Sequence, residues 1–401
     1  MDFYFSAYSS PLLFGFIQAW VYAVLLWIRG RREERLSDIL LGGVLVGMAF
    51  NLWEYMLGFG GIDILWRELE FFPRTLGYLF PVLCYFYLKT QFNADFRFSR
   101  RDAWHLLPFL LYTAYHVGVF SRGPAFVKWW QTTVHGPYYL GDLEFWLGVG
   151  IDLFYLFQSL RLYRQYRQWA QNQFSETETI SFRWFRNFLM ALTITSLFSF
   201  GMDLLSSALQ LTFWQDWWDE LAKVVLIYYV SINGYAQVQP GRRLAFQPEE
   251  APVVPVAQPL VPAGEPDSPG MVEEPLASGS TSEEPVLADE RLPLRDTLLA
   301  FMESEKPYLE PELTLADLAR RLHTNPVVLS QVINVGLGRN FNDFVNEYRV
   351  EAFKQLVRDP ANRHLSYLGL ALECGFNSKA TFNRAFKKRT GLAPNEFARM
   401  A

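Results

Sequence analysis

Two regimes of hydrophobic patterning divide the chain. Up to about residue 238 apolar positions run on almost unbroken over long stretches; from Leu292 they recur every three to four residues, interrupted by turns. The long runs lie near 11–28, 38–58, 75–92, 105–121, 142–163, 184–208 and 219–237. Each is long enough to cross about 30 Å of hydrocarbon as a helix rising about 1.5 Å per residue. The expected fold is therefore all-α: a seven-helix transmembrane bundle over 1–238 and a domain of short amphipathic helices over 291–401.

The periodic region repeats one theme twice. An opening helix near 293–306 leads to Glu312–Leu322, where Thr314 has the side chain of an N-cap. After His323-Thr324-Asn325, Pro326 opens a helix near 326–335, at a position where a missing N–H costs nothing. That helix would bury Leu329, Val332 and Ile333 and present Val327, Ser330, Gln331 and Asn334. Phe341–Val357 reads as a connecting helix with Phe344, Tyr348, Ala352 and Leu356 toward the core.

Leu365–Leu372 then leads through a turn at Gly375 and capping residues Asn377 and Ser378 into Lys379–Thr390, which Gly391 ends. Phe382 and Phe386 share its buried face, leaving Lys379, Asn383, Arg384, Lys387 and Lys388 for a partner. Each half is a helix-turn-helix. Two such readers on one chain could enter successive major grooves about 34 Å apart.

Between the regimes, residues 239–290 are rich in Pro, Glu, Ala, Val and Ser without a sustained period. This reads as a disordered acidic linker with a root-mean-square span of about 40 Å. DNA would have to approach the membrane, or the C-terminal domain would have to be released by proteolysis.

Charge changes the picture. The net charge of -5 averages three unlike pieces: 18 basic and 19 acidic residues in 1–238, 2 and 10 in 239–290, and 16 and 12 in 291–401. The last piece is net positive, as a DNA reader requires. In the apolar half, Arg29, Arg31, Arg32 and Arg35 crowd the first connection; Lys89, Arg97, Arg100 and Arg101 the third; Arg161, Arg164, Arg167, Arg183 and Arg186 the fifth. Basic residues favour the cytoplasmic side. The N-terminus is thus expected outside, and seven crossings leave the C-terminal domain in the cytoplasm.

The N-terminus lacks a basic n-region and a small-residue cleavage site, so its first apolar run is expected to be retained. The two cysteines, Cys84 and Cys374, lie in unlike settings and argue against a disulfide framework or a thiolate metal site.

Trp129, Trp130, Tyr138, Tyr139, Trp214, Trp217 and Trp218 gather at the expected outer ends. An interfacial belt is the simpler reading and a ring-lined ligand site the sharper one. Glu54, Asp152, Asp203 and Lys223 fall inside spans, where ionisable groups mark a functional site or an internal pair. Glu54, Asp203 and Lys223 could face an outward pocket holding a cation, or simply pair with neighbours. His105 and His116 sit three turns apart, about 16 Å along a helix axis, too far to share an ion. No catalytic residue, metal site or cofactor is expected.

Asn340–Arg349, Gly375-Phe376-Asn377-Ser378, Phe382–Lys388 and Thr390-Gly391-Leu392-Ala393-Pro394 together resemble the AraC-type family of bacterial transcription regulators over about 105 residues. Gly77–Pro81 and His105–Pro108 loosely resemble the sensor part of membrane-embedded members. The resemblance implies base-reading positions at Val327, Ser330 and Gln331 of the first reader and at Lys379, Ala380, Asn383 and Arg384 of the second. Arg384 would pair with guanine and Asn383 or Gln331 with adenine. Val327 and Ala380 offer only apolar contact. Lys387, Lys388 and Arg389 would hold phosphates.

The expectation is a non-enzymatic, membrane-embedded one-component regulator of the bacterial inner membrane. Its partners would be promoter DNA, the lipid bilayer, a small ligand or membrane partner, and a second copy in a homodimer, for which no motif is present. The alternative is a transporter or channel-like bundle with an occupancy-coupled DNA-binding domain.

Overall fold

The computed structural model describes residues 3–67, 69–93, 95–176, 182–237, 246, 286–362 and 364–400. Among these residues the secondary structure is helical, with no strand beyond isolated bridging contacts. The chain divides into two units. The first comprises Met1–Arg167 and Ile180–Pro248; the second comprises Gln168–Thr179 and Glu249–Ala401. Most of the anticipated linker lies outside the described residues.

The first unit is built on α1 (Ser9–Arg32), α2 (Leu36–Phe59), the single turn α3 (Ile64–Arg67), α4 (Phe80–Phe92), α5 (Leu107–Phe120), α6 (Pro124–Trp130), most of α7 (Leu140–Gln173), α8 (Phe182–Leu209) and α9 (Trp217–Tyr235). α1 and α2 form a hairpin closed by Arg29, which grips Asp38 through two hydrogen bonds of 2.6 and 3.0 Å. The same guanidinium donates to the carbonyl of Tyr235 at 2.6 Å, while Trp217 Nε1 donates to Tyr8 O at 3.0 Å at the opposite ends. α1 and α9 therefore run parallel. Small residues allow their close approach: a Cβ at Gly15 would meet Val224 at 2.8 Å.

Each of the seven anticipated runs contains helix, but among the described residues three rather than seven helices combine the length and hydropathy of a span: Ser9–Arg32, Leu36–Phe59 and Arg183–Ser206. Proline accounts for part of the difference. Pro81 and Pro108 sit in the first turns of α4 and α5, where a residue without an N–H starts a helix, so the helices begin later than the apolar runs. With 13 and 14 residues they reach only about 20 Å. α7 mixes Glu144, Asp152 and a run of arginines with its apolar residues, and α9 opens with Asp219, Glu220 and Lys223. Phe246, assigned by sequence to the disordered linker, is instead buried, its ring 5.7 Å from that of Tyr166 and its N–H bonded to Phe92 O at 3.2 Å.

The second unit contains α10 (Val286–Ser304), α11 (Leu315–Arg321), α12 (Pro326–Gln331), α13 (Phe341–Arg358), α14 (Tyr367–Glu373), α15 (Lys379–Thr390) and α16 (Pro394–Met400). α10 starts upstream of the expected boundary at 291 and carries Pro293 inside it. The unit has two hydrophobic cores. Leu298, Leu315, Leu318, Leu329, Ile333 and Phe344 belong to one; Leu370, Ala371, Phe376, Phe382 and Phe386 to the other. α13 serves both, giving Phe341, Phe344 and Val345 to the first and Val350 and Phe353 to the second.

Candidate nucleic-acid interface

A side-chain cap starts each helix from α11 to α15. Thr314 Oγ1 accepts the Asp317 N–H at 3.1 Å before α11, and Asn325 Oδ1 accepts the Val327 N–H at 2.8 Å before α12. Asn340 Oδ1 accepts the Asp343 N–H at 2.8 Å before α13. Ser366 Oγ accepts the Gly369 N–H at 3.0 Å before α14, and Ser378 Oγ accepts the Thr381 N–H at 3.1 Å before α15. Each bond satisfies a backbone donor that the first helical turn leaves without a partner, a contribution of about 1 kcal/mol. α15 ends at Gly391, whose φ of 76° suits a residue without a side chain.

The first reader, α12, buries Leu329 and continues through an irregular turn, Val332–Gly336, that buries Val332 and Ile333. Val327 projects at 61% exposure, whereas Ser330 and Gln331 are half-buried. Asn334 Nδ2 donates to Ser330 Oγ at 3.1 Å, so the serine hydroxyl is already oriented.

The second reader, α15, seats Phe382 and Phe386 against Phe353, with ring centroids 4.6 and 5.5 Å away. That anchoring turns Lys379, Ala380, Asn383, Arg384, Lys387, Lys388 and Arg389 outward, all exposed. The sequence pattern does not show that Lys388 and Arg389 are engaged within the domain. Lys388 Nζ bonds both oxygens of Asp343 at 2.7 Å, and Arg389 pairs with Glu347, which also holds Arg339.

Beneath the readers lies a fully buried arginine that periodicity did not mark. Arg349 Nε donates to Tyr308 O at 2.7 Å and Nη2 to Glu310 O at 2.7 Å. Burial pushes its guanidinium down to about 10, with the Glu176 carboxylate opposing the shift. The turn into α15 packs on the same backbone: a Cβ at Gly375, where φ is 89°, would lie 2.4 Å from Tyr308 O.

Residues 318–400 match the family model described as "Helix-turn-helix domain". They form a helix-turn-helix domain. The domain is similar to part of YtdP of Bacillus subtilis (strain 168), named an uncharacterized HTH-type transcriptional regulator, with 33% identity over 88 residues. That match spans 22% of this chain and 11% of YtdP. It is also similar to the HTH-type transcriptional regulator CdhR of Pseudomonas aeruginosa, 30% identical over 89 residues, 22% of this chain and 26% of CdhR. The chain thus spans about a tenth and a quarter of these relatives' lengths. A solved structure from Listeria innocua, titled a protein of unknown function, is 28% identical, with a TM-score of 0.23 over 26% of this chain and 94% of its own.

Outside the helix-turn-helix domain, the polar residues singled out in the apolar half fall into two groups. Glu54 pairs with Arg74 at 2.8 Å. Asp152, Asp203 and Lys223 line one cavity of about 510 Å³ in the first unit, with Asn51, Tyr112 and Glu144. Lys223 is also held by Asp219 and Glu220 at 2.8 and 2.7 Å. Glu144, which sequence reasoning passed over, lies between His116 and His135, 3.4 and 3.7 Å from their Nε2 atoms. His105 bonds Tyr155 at 2.7 Å. No group of three His, Cys, Asp or Glu side chains among the described residues could hold a metal ion. At the same N-terminal end of α9, Tyr8 packs edge-on against Trp214 and Trp217 at 5.2 and 5.5 Å.

Proposed function

We propose that the chain is a membrane-embedded one-component transcription regulator that reads promoter DNA through two helix-turn-helix modules. The observation that carries this is the pair of capped reader helices, each with its apolar side in a separate core. One presents Val327, Ser330 and Gln331; the other presents Lys379, Ala380, Asn383 and Arg384. Arg384 supplies a fork for guanine, Asn383 and Gln331 supply amides for adenine, and Lys387 is placed for phosphate. Full-length protein in lipid nanodiscs should protect a fragment of its target promoter in preference to random duplex. Equal affinity for both would sink the reading.

Membrane embedding is supported by the three long apolar helices and by side chains such as Phe14, Ile28, Ile194 and Leu197, each at least 60% exposed. Such apolar surface suits lipid. The parallel course of α1 and α9 supports a common direction for these two helices. It also supports a residue 236 on the arginine-rich, cytoplasmic side of α1, with the N-terminus outside the inner membrane. A reporter fused after Gly241 should behave as cytoplasmic; a periplasmic result overturns this topology.

The cavity lined by Asp152, Asp203 and Lys223 is where a small ligand would be sensed. Its occupancy would act through different affinities for two states of the bundle or of a paired dimer. A second reading, a transporter-like bundle coupled to the DNA-binding domain, rests on the same cavity. Ligand-dependent promoter output without uptake into vesicles would exclude it.

A further inference from the structure

A three-residue stretch far upstream in the chain completes the helix-turn-helix domain. α7 carries its first residues in the first unit and ends in the second, and Phe174, Ser175 and Glu176 follow it there. Phe174 forms an antiparallel bridge with Thr314, the residue that caps α11. Ser175 is fully buried: its N–H and its Oγ donate to Leu313 O at 3.2 and 2.7 Å. Its carbonyl accepts from Asn342 Nδ2 at 2.6 Å and its Oγ from Arg349 Nη2 at 3.2 Å, both on α13. Glu176 is 5% exposed and accepts from Thr381 Oγ1 at 3.2 Å, in the first turn of the second reader.

The three residues therefore touch the entrance to the first module, the connecting helix and the second reader at once. A loop does not bury a serine without directed partners, since each lost water contact must be replaced. Here the replacement is drawn from every element that sets the relation of one reader to the other. A carboxylate in the first turn of α15 also suits the positive end of that helix.

We propose that Phe174–Glu176 is a clasp that holds the two modules in one relative setting. Through it the segment that follows α7 sets how well the domain reads a two-part site. The inference rests on the DNA-reading function above. Two readers held at a fixed spacing gain from each other when they bind, and two that swivel must order first. A change in the bundle that pulls on α7 would open the clasp and lower affinity for the complete site, while leaving each half-site contact intact.

The test uses full-length protein in nanodiscs and two duplexes: the segment of promoter it protects, and the same segment with one half-site randomised. Ser175→Trp cannot fit the buried seat and should weaken binding to the complete site about tenfold, with half-site binding unchanged. Wild-type binding to both duplexes would overturn the proposal. A loss on both would mean damage to the domain, and then a Phe174→Cys/Thr314→Cys pair decides. Residues in an antiparallel bridge have Cα atoms about 4.5–5.5 Å apart, within disulfide reach.

Oxidation should form the cross-link and hold the complete-site preference at the wild-type level. A cross-link that fails to form, or a preference below wild type once it has formed, overturns the clasp. Cross-linking does not depend on DNA. A wild-type protein that prefers no promoter over random sequence refutes the DNA reading instead.

Discussion

Lys388 and Asp343 lock the second reader to the connecting helix, with Nζ 2.7 Å from both carboxylate oxygens. Lys388 is 66% exposed, so the pair contributes about 0–1 kcal/mol to stability. Its larger effect is to hold a cation that DNA phosphate could recruit. Asp343→Asn should leave the melting temperature nearly unchanged, raise affinity for every duplex, and steepen the salt dependence by about one unit of slope. An unchanged slope would remove Lys388 from the phosphate contacts.

On the proposed reading, Arg384 and Lys387 would separate base reading from phosphate attraction. Arg384→Ala should cost about 1–3 kcal/mol at a cognate guanine and little elsewhere. Lys387→Ala should weaken all sequences alike and lower the salt slope by about one. Competition binding against single-base operator variants distinguishes them. Uniform weakening by Arg384→Ala would reassign that residue to the backbone.

Gly375 tolerates no side chain. Its φ of 89° is strained for an L residue, and a Cβ would collide with Tyr308 O. Gly375→Ala should destabilise the domain by at least about 2 kcal/mol, read by thermal unfolding. A variant that melts with the wild type would mean that the turn into α15 can move off the Tyr308 backbone.

Cys374 reports on whether that turn is closed. Burial is the main cause pushing its thiol up to about 12; Glu373 adds to the rise and Arg349 opposes it. A pKa raised in the fold means stability present at neutral pH and lost as pH climbs from the ordinary thiol value near 9 toward 12. Iodoacetamide at pH 8 should leave Cys374 unmodified in the folded protein and alkylate it after denaturation. Rapid alkylation of the native chain would contradict its burial.

The tandem was legible in the sequence because its signals are local. Thr314, Pro326, Ser378 and Gly391 mark helix ends by their own backbone chemistry, and Phe382 and Phe386 mark a buried face by spacing. The Lys388–Asp343 bond and the Ser175 seat link residues 45 and more than 130 positions apart, which no periodicity encodes. Arg349 was hidden for another reason: a charged residue in a helical pattern reads as solvated, and only its carbonyl partners reveal a buried one. In the apolar half, hydropathy located the helical stretches but overstated the lengths of those that Pro81 and Pro108 start late.

The sharing of α13 between two cores bears on how the domain comes apart. Phe344 and Phe353 sit on one continuous helix, so neither module can melt without stripping the other of a wall. The tandem should therefore unfold in a single step, with the amides of α13 exchanging last and together. A split of the chain within that helix would leave two fragments, each lacking part of its interior. In energetic terms the two readers are a single object with a common spine.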